Sequence, residues 1–257
     1  MGRPGRLEGR IALVAESGDG IGRGTALRFA EEGASLVCVD ADADAAAATA
    51  EAARAYGGEA VPIGADLTRA ADCERVAAAA RDAFGGLDVL YNNASLLVTG
   101  TVEDCSEEDW DRVFALNVKA IFLLTRACLP LLRARGGGSI VNLASSLALI
   151  GYPGLPAYSA SKGAVRQLTK TLALDCAADG IRVNCICHGG IDDPLLHSLF
   201  DRAPDPAGAL AGFLEGIPLG RLIPIEHMAA AALFLASDES GSTTGAEILV
   251  DGGQTAR

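Results

Sequence analysis

Basic residues are scarce in this chain of 257, with 21 Lys and Arg against 33 Asp and Glu for a formal net charge of −12. Such a surface repels nucleic-acid backbones and anionic headgroups, so neither nucleic acid nor a membrane is an expected partner. Aromatic residues are also thin, at 5%, although half of all residues are hydrophobic. A core of aliphatic side chains and alanine favours helices packed on a sheet. No run of about 18 apolar residues occurs, and Met1-Gly2-Arg3-Pro4-Gly5-Arg6 is not followed by the apolar stretch of a secretory signal. The expectation is a cytoplasmic protein. The seven cysteines are odd in number and irregularly spaced, several within apolar runs, which reads as reduced core thiols rather than a disulfide framework. Cys185-Ile186-Cys187-His188 has no second ligand pair, so no metal is expected.

What is present is a rhythm. Short aliphatic or β-branched runs at Ile11 to Ala15, Ser35 to Val39, Ala60 to Gly64, Val89 to Tyr91, Ser139 to Leu143, Ile181 to Ile186 and Glu247 to Val250 read as buried strands. Alanine-rich stretches between them read as helices, at Gly22 to Glu32, Asp42 to Tyr56, Ala70 to Phe84, Glu107 to Arg133 and Ala157 to Ala178. Such alternation predicts one α/β domain of the Rossmann type, a doubly wound parallel sheet of about seven strands with helices on both faces. Ligands then bind beyond the carboxyl ends of the strands. Asp42 to Ala55, nearly all alanine and acid, reads as a solvent-facing helix. From Asp192 to Leu222 the rhythm breaks into prolines and large apolar residues, an irregular, partly helical insertion that reads as a substrate-covering lid, with a passive packing loop as the alternative.

The first strand runs into Ser17-Gly18-Asp19-Gly20-Ile21-Gly22 at the start of a helix, a turn that lets a pyrophosphate approach the helix N-terminus. Asp40, 18 residues beyond Gly22, ends the second strand, where a carboxylate accepts from ribose hydroxyls and repels a 2′-phosphate; with no Arg or Lys beside it, NAD is favoured over NADP. A helix-capping role for Asp40 is the plain alternative. Tyr158 and Lys162, four apart, share one helix face. An ammonium beside a phenol favours the phenolate and brings its pKa toward neutrality, as acid/base catalysis requires, whereas an isolated pair of this kind is more often a surface pair. Ser145, 13 residues before Tyr158 and directly after a strand, offers a hydroxyl for the reacting oxygen.

With these pieces on the page, the sequence resembles the short-chain dehydrogenase/reductase family from Arg10 to Gly253. The resemblance is carried by the glycine turn, Asp66-Leu67, Asn92-Asn93-Ala94, Asn117, Ser145, Tyr158-Ser159-Ala160-Ser161-Lys162, Arg182-Val183-Asn184 and Asp251-Gly252-Gly253. It implies Tyr158 as acid/base, Lys162 on the nicotinamide ribose, Ser145 orienting substrate and Asn117 supporting a proton-relay water. It further implies Asp66 with Leu67 near the adenine, Asn93 and Ala94 on the adenosine side, Ile191 meeting the carboxamide through its backbone, and Asp193 at the place of a threonine that bonds it. Homotetramers built on the two long helices are also implied. Four positions depart from the pattern: Glu16 replaces the first glycine of the turn, Ser95 a glycine, His188 a proline and Asp193 the threonine. Glu16 can clash with the cofactor, bond a ribose or turn outward; His188 reads as turn packing sooner than as a substrate-facing group.

The expectation is NAD(H)-dependent interconversion of a secondary alcohol and a ketone, on a mainly apolar small molecule. Leu96, Leu97, Leu147, Leu149, Tyr152, Leu195 and Phe200 are candidate pocket residues. The rival reading, motivated by the departures, is a protein of the same fold with altered or lost cofactor use.

Overall fold

A computed structural model describes residues 5–201 and 204–256, without the side chains of residues 194, 195 and 198. The strands are β1 (Ile11–Ala15), β2 (Ser35–Asp40), β3 (Ala60–Gly64), β4 (Val89–Asn92), β5 (Gly138–Ser145), β6 (Ile181–His188) and β7 (Glu247–Val250). They form one parallel sheet in the order β3-β2-β1-β4-β5-β6-β7. Its direction of winding reverses between β1 and β4, which opens a crevice at their carboxyl ends. β1 is buried along its whole length, as a strand with helices on both faces must be.

The helices are α1 (Gly20–Glu31), α2 (Ala43–Arg54), α3 (Ala70–Phe84), α4 (Glu107–Phe114), α5 (Ala120–Ala134), α6 (Pro156–Cys176), α7 (Pro194–Asp201), α8 (Pro206–Glu215) and α9 (Ile225–Ala236). On one face of the sheet α1 and α9 pack over Val14, Leu36 and Val141; on the other α3 and α5 pack over Leu13, Val37 and Leu90. Asp42 starts α2 by accepting from the Asp44 and Ala45 amides. That helix is less solvent-facing than its composition predicts, because Ala46, Ala50 and Ala53 form a buried stripe against β2 and β3. Helix α9 has no counterpart among the sequence-predicted elements: an apolar run without polar alternation gives no period to read.

The expected single helix from Glu107 to Arg133 is divided by a π turn at Ala115–Lys119. The stretch Glu107–Ala134 is long and apolar enough to cross a bilayer by length and composition, but Leu124, Cys128 and Leu132 are spent inside the core against α3 and the sheet.

At the amino ends of the strands, Asp88 is 4% exposed and accepts from the Ile11 amide at 2.9 Å and from Arg135 at 3.1 and 3.2 Å. Asp88→Ala strands a buried N–H, which costs about 2 kcal/mol. The expected result is a lower urea midpoint with unchanged kcat, because the residue lies at the edge opposite the crevice; a midpoint equal to wild type would show the bonds to be dispensable.

Candidate active site

Helix α6 opens with Pro156 in its first turn, where the missing N–H does no harm, and so places Tyr158 and Lys162 one turn apart on its inner face. Both are buried, at 5% and 0% exposure. Lys162 Nζ donates to the Leu143 carbonyl at 2.9 Å and lies 5.5 Å from the centre of the Tyr158 ring. Ser145 ends β5; its Oγ donates to the His188 carbonyl at 3.4 Å and accepts from the Leu147 amide at 3.2 Å. Asn117 sits inside the π turn, fully buried rather than facing solvent. Its side chain accepts from the Leu96 amide at 2.6 Å and donates to the Leu96 carbonyl at 2.9 Å and to Ser161 Oγ at 3.0 Å. Ser161 Oγ in turn donates to the Tyr158 carbonyl at 2.7 Å. Asn117 thereby ties the loop after β4 to the helix that carries the tyrosine.

Burial pushes the Tyr158 phenol up to about 12, against the pull of the Ser145 and Ser95 hydroxyls. This corrects the expectation that Lys162 brings it toward neutrality. Burial pulls Lys162 itself down to about 8, against the opposing charge of Glu16. In this state the phenol holds its proton.

Beyond β1, β2 and β4 lies a polar groove of about 540 Å³, lined by Glu16, Gly18, Asp19, Gly20, Ile21, Asp40, Asn93, Ser95, Tyr158, His188 and Asp193, among others. Asp19 makes no side-chain cap on α1, and among the described residues no side chain takes the first amides of that helix. Asn93 Oδ1 is buried with no partner among the described residues. Gly18 is required by crowding: a Cβ there would stand 2.7 Å from Ala45 Cβ and 2.8 Å from Asp40 Oδ2. Asp40 accepts from the Gly18 amide at 2.8 Å and the Asp42 amide at 3.0 Å, so it shapes the turn and still presents lone pairs to the groove. An uncapped helix start, an unpaired amide oxygen and a carboxylate at the end of β2 together suit a phosphate-linked dinucleotide.

Other sequence-predicted cofactor residues stand elsewhere. Ser17 is fully buried with its hydroxyl on the Val39 carbonyl, Asp66 is exposed and turned to Thr68, and Leu67 and Ala94 belong to the core. Ile191 forms a bridge with Ile223 and lines the second cavity, described below. Asp193, by contrast, keeps its place in the groove wall while accepting from the Leu196 amide at 2.8 Å, a capping bond for α7, with its pKa raised by burial.

Glu16 has a φ of 47°, the one positive φ outside glycine among the described residues. Its side chain turns inward, accepting from the Ser95 amide at 3.1 Å, while its carbonyl accepts from Asn93 Nδ2 at 3.0 Å. Burial pushes its carboxyl up to about 7.

A second cavity, about 440 Å³ and mostly apolar, adjoins the groove. Of the expected residues Leu97, Leu147, Tyr152 and Phe200 line it, whereas Leu96 and Leu149 do not; the side chain of Leu195 lies outside the described residues. Leu155 and Gln254 line it without having been singled out in the sequence, and Leu196, Leu199 and Phe213, large apolar residues of the expected lid, join them. Their spacing carried no signal, although the proline-rich insertion that supplies three of them did. Tyr158, His188 and Asp193 belong to both cavities. His188 is therefore more than turn packing. Its Nδ1 lies 2.7 Å from the Gly189 carbonyl, which can only accept, so Nδ1 carries the proton; burial, aided by Lys162, pulls its pKa down to about 4. Among the described residues no group of three or more His, Cys, Asp or Glu is arranged to hold a metal.

A parallel sheet of this order, with a polar groove at its switch point and Ser, Tyr and Lys gathered beside it, defines the class of dinucleotide-binding oxidoreductases. The family model described as enoyl-(acyl carrier protein) reductase matches residues 15–255. An uncharacterized oxidoreductase of Thermotoga maritima is 40% identical over 97% of this chain and 99% of its own. The 2,5-dichloro-2,5-cyclohexadiene-1,4-diol dehydrogenase of Sphingobium indicum is 39% identical over 96% and 97%. Among solved structures, a short-chain type dehydrogenase/reductase from Mycobacterium marinum superposes with a TM-score of 0.92 at 32% identity, covering 98% of this chain and 97% of that one. Levodione reductase superposes with a TM-score of 0.93 at 29% identity, covering 97% and 99%. The chain belongs to the short-chain dehydrogenase/reductase family of oxidoreductases, whose members use a nicotinamide cofactor.

Proposed function

We propose that this oxidoreductase interconverts a secondary alcohol and a ketone with NAD(H), and that Tyr158 moves the proton. The observation that carries the reading is the position of Tyr158 in the wall shared by the polar groove and the apolar cavity, within reach of both occupants. The nicotinamide supplies or accepts the hydride. In the direction of reduction the Tyr158 hydroxyl gives its proton to the substrate oxygen, and in oxidation it takes one back; Ser145, beside it at the end of β5, orients that oxygen. Lys162 holds a buried positive charge beside the ring, on the Leu143 carbonyl, and would hold the cofactor ribose. Asn117 is a positioning residue that fixes Leu96 and α6. Asp40 favours NAD over NADP, since a 2′-phosphate beside it would meet a carboxylate.

The reading of the substrate as a mainly apolar small molecule, such as a cyclic alcohol or ketone, is supported by the lining of the second cavity. Helices α7 and α8 cover it as a lid, contributing Leu199, Phe200 and Phe213. A tetramer in a reducing, cytoplasmic setting is consistent with the exposed Trp110, Phe122 and Leu174 on the long helices and with seven free cysteines.

Titration with NADH and NADPH, followed by an NAD-coupled screen of apolar secondary alcohols, tests the reading; binding of neither nucleotide would overturn it. The Phe213 ring stacks at an angle on Phe200, 5.4 Å away, and meets Tyr152 at 6.2 Å. Phe213→Ala removes about 2 kcal/mol of apolar contact. KM for an accepted apolar alcohol is expected to rise roughly tenfold or more, with kcat little changed; an unchanged KM would remove Phe213 from the substrate wall.

A further inference from the structure

Glu16 is held in an unusual way. The left-handed backbone at this position suits glycine, yet the chain places a long acidic side chain there. Its carbonyl is locked by Asn93 and lies where a Cβ on Gly22 would touch it, so the main chain has no freedom to turn the side chain out. The carboxyl group is consequently aimed into the dinucleotide groove and rests on the Ser95 amide. Charged groups face it from three sides: Asp19 from the turn and Asp40 from the end of β2 disfavour its ionisation, and Lys162 from α6 favours it. Asp42, Asp193, His188 and Tyr158 complete the titratable lining. The groove is thus already rich in carboxylates before an anionic ligand enters.

We propose, resting on the dinucleotide reading above, that Glu16 is a proton-controlled selectivity residue of this groove: as a neutral acid it admits the dinucleotide and donates a hydrogen bond to it, and as a carboxylate it repels the phosphates. A protonated carboxyl has one O–H to donate, and an ionised one has none. Cofactor binding therefore takes up a proton. With its pKa pushed up to about 7 by burial, Glu16 changes charge within the physiological range.

The test is the dissociation constant of NADH, read by fluorescence between about pH 5.5 and about pH 8, for wild type, Glu16→Gln and Glu16→Gly. If only the neutral acid admits the ligand, a titration near pH 7 weakens wild-type binding about tenfold across that range. Both variants lack the titrating group and are expected to bind with a much shallower profile. Glycine relieves the backbone and glutamine preserves the shape, so both are expected to fold. Lys162, titrating near pH 8, also weakens binding as the pH rises, and because Glu16 raises it this contribution shifts down in both variants; repeating the comparison in a Lys162→Met background removes it, and the inference rests on the difference between Glu16 and Glu16→Gln that survives there. Calorimetry in two buffers of unlike ionisation heat should show proton uptake near pH 7 in wild type and less in Glu16→Gln. Parallel profiles for wild type and Glu16→Gln would overturn the proposal, as would tight binding by Glu16→Gly alone, which would make the side chain a steric plug instead. No NADH binding by any of the three at any pH would overturn the NAD reading itself and this inference with it.

Discussion

Tyr158→Phe is expected to lower kcat with an accepted alcohol about a thousandfold, while the dissociation constant of NADH changes little. A positioned acid or base contributes about 10² to 10⁴ to such reactions, and the variant removes one oxygen from an otherwise unaltered ring. The ring is packed at 5% exposure, so phenylalanine keeps the volume and with it the shape of both cavities. What disappears is the one hydroxyl that Ser145 and Ser95 both act upon and that both cavities reach. The split between retained binding and lost turnover separates a proton donor from a residue that merely shapes the pocket, because the latter would raise KM and leave kcat largely intact. Equal turnover in the variant would dismiss Tyr158 as the acid/base.

Gly22→Ala is expected to lower the melting temperature by roughly 10 °C and to abolish measurable NADH binding. A Cβ at this position would overlap the Glu16 carbonyl oxygen and stand 2.8 Å from Asn93 Nδ2. The first contact is with backbone, which cannot swing aside as a side-chain tip can. Relief requires the turn between β1 and α1 to open, and overpacking of this severity costs about 3 kcal/mol; for a chain of this size that corresponds to several degrees for each kcal/mol. The same movement breaks the Asn93 bond and turns the first amides of α1 away from the groove. A variant that melts like wild type and binds NADH normally would show that the turn has slack the structure does not display.

The sheet was legible because its central strands are buried on both faces and so appear as uninterrupted aliphatic runs, while the partly exposed edge strands β3 and β7 stay short and largely aliphatic; all seven lie within a few residues of their expected limits. Helix α9 was not, since its only polar residues, Glu226 and His227, fall in the first turn and alanine fills the exposed position 230, so no polar face marks the period. Tyr158, Lys162 and Ser145 could be placed because one helix turn and one strand end suffice to bring them together. Asn117 could be named only by resemblance: its partners Leu96 and Ser161 are 21 and 44 residues away, and nothing local says that it faces inward. The motifs also mixed two kinds of residue. Asn93 faces the groove, while its neighbour Asn92 bonds Asn142 at 2.8 Å inside the core, and Asn184 braces the loop before β7 through Thr243 and Ala246. The protonation of the site was the least legible, because desolvation depends on everything packed around a group. It moved Tyr158 and His188 in directions that their residue types alone do not announce.

The π turn at Ala115–Lys119 has a consequence for the helix that contains it. A turn closed five residues apart accommodates one residue more than its neighbours, which rotates everything after it by about 100° relative to everything before it. Helices α4 and α5 are therefore one rod with two phases, the first carrying Val113 and the second Leu124, Cys128 and Leu132 to the interior. Deleting one residue from this turn would restore an uninterrupted helix and swing either α4 out of register with α6 or α5 out of register with the sheet. Inserting that residue elsewhere in the rod would not repair it, since the phase change has to fall where Asn117 must look inward.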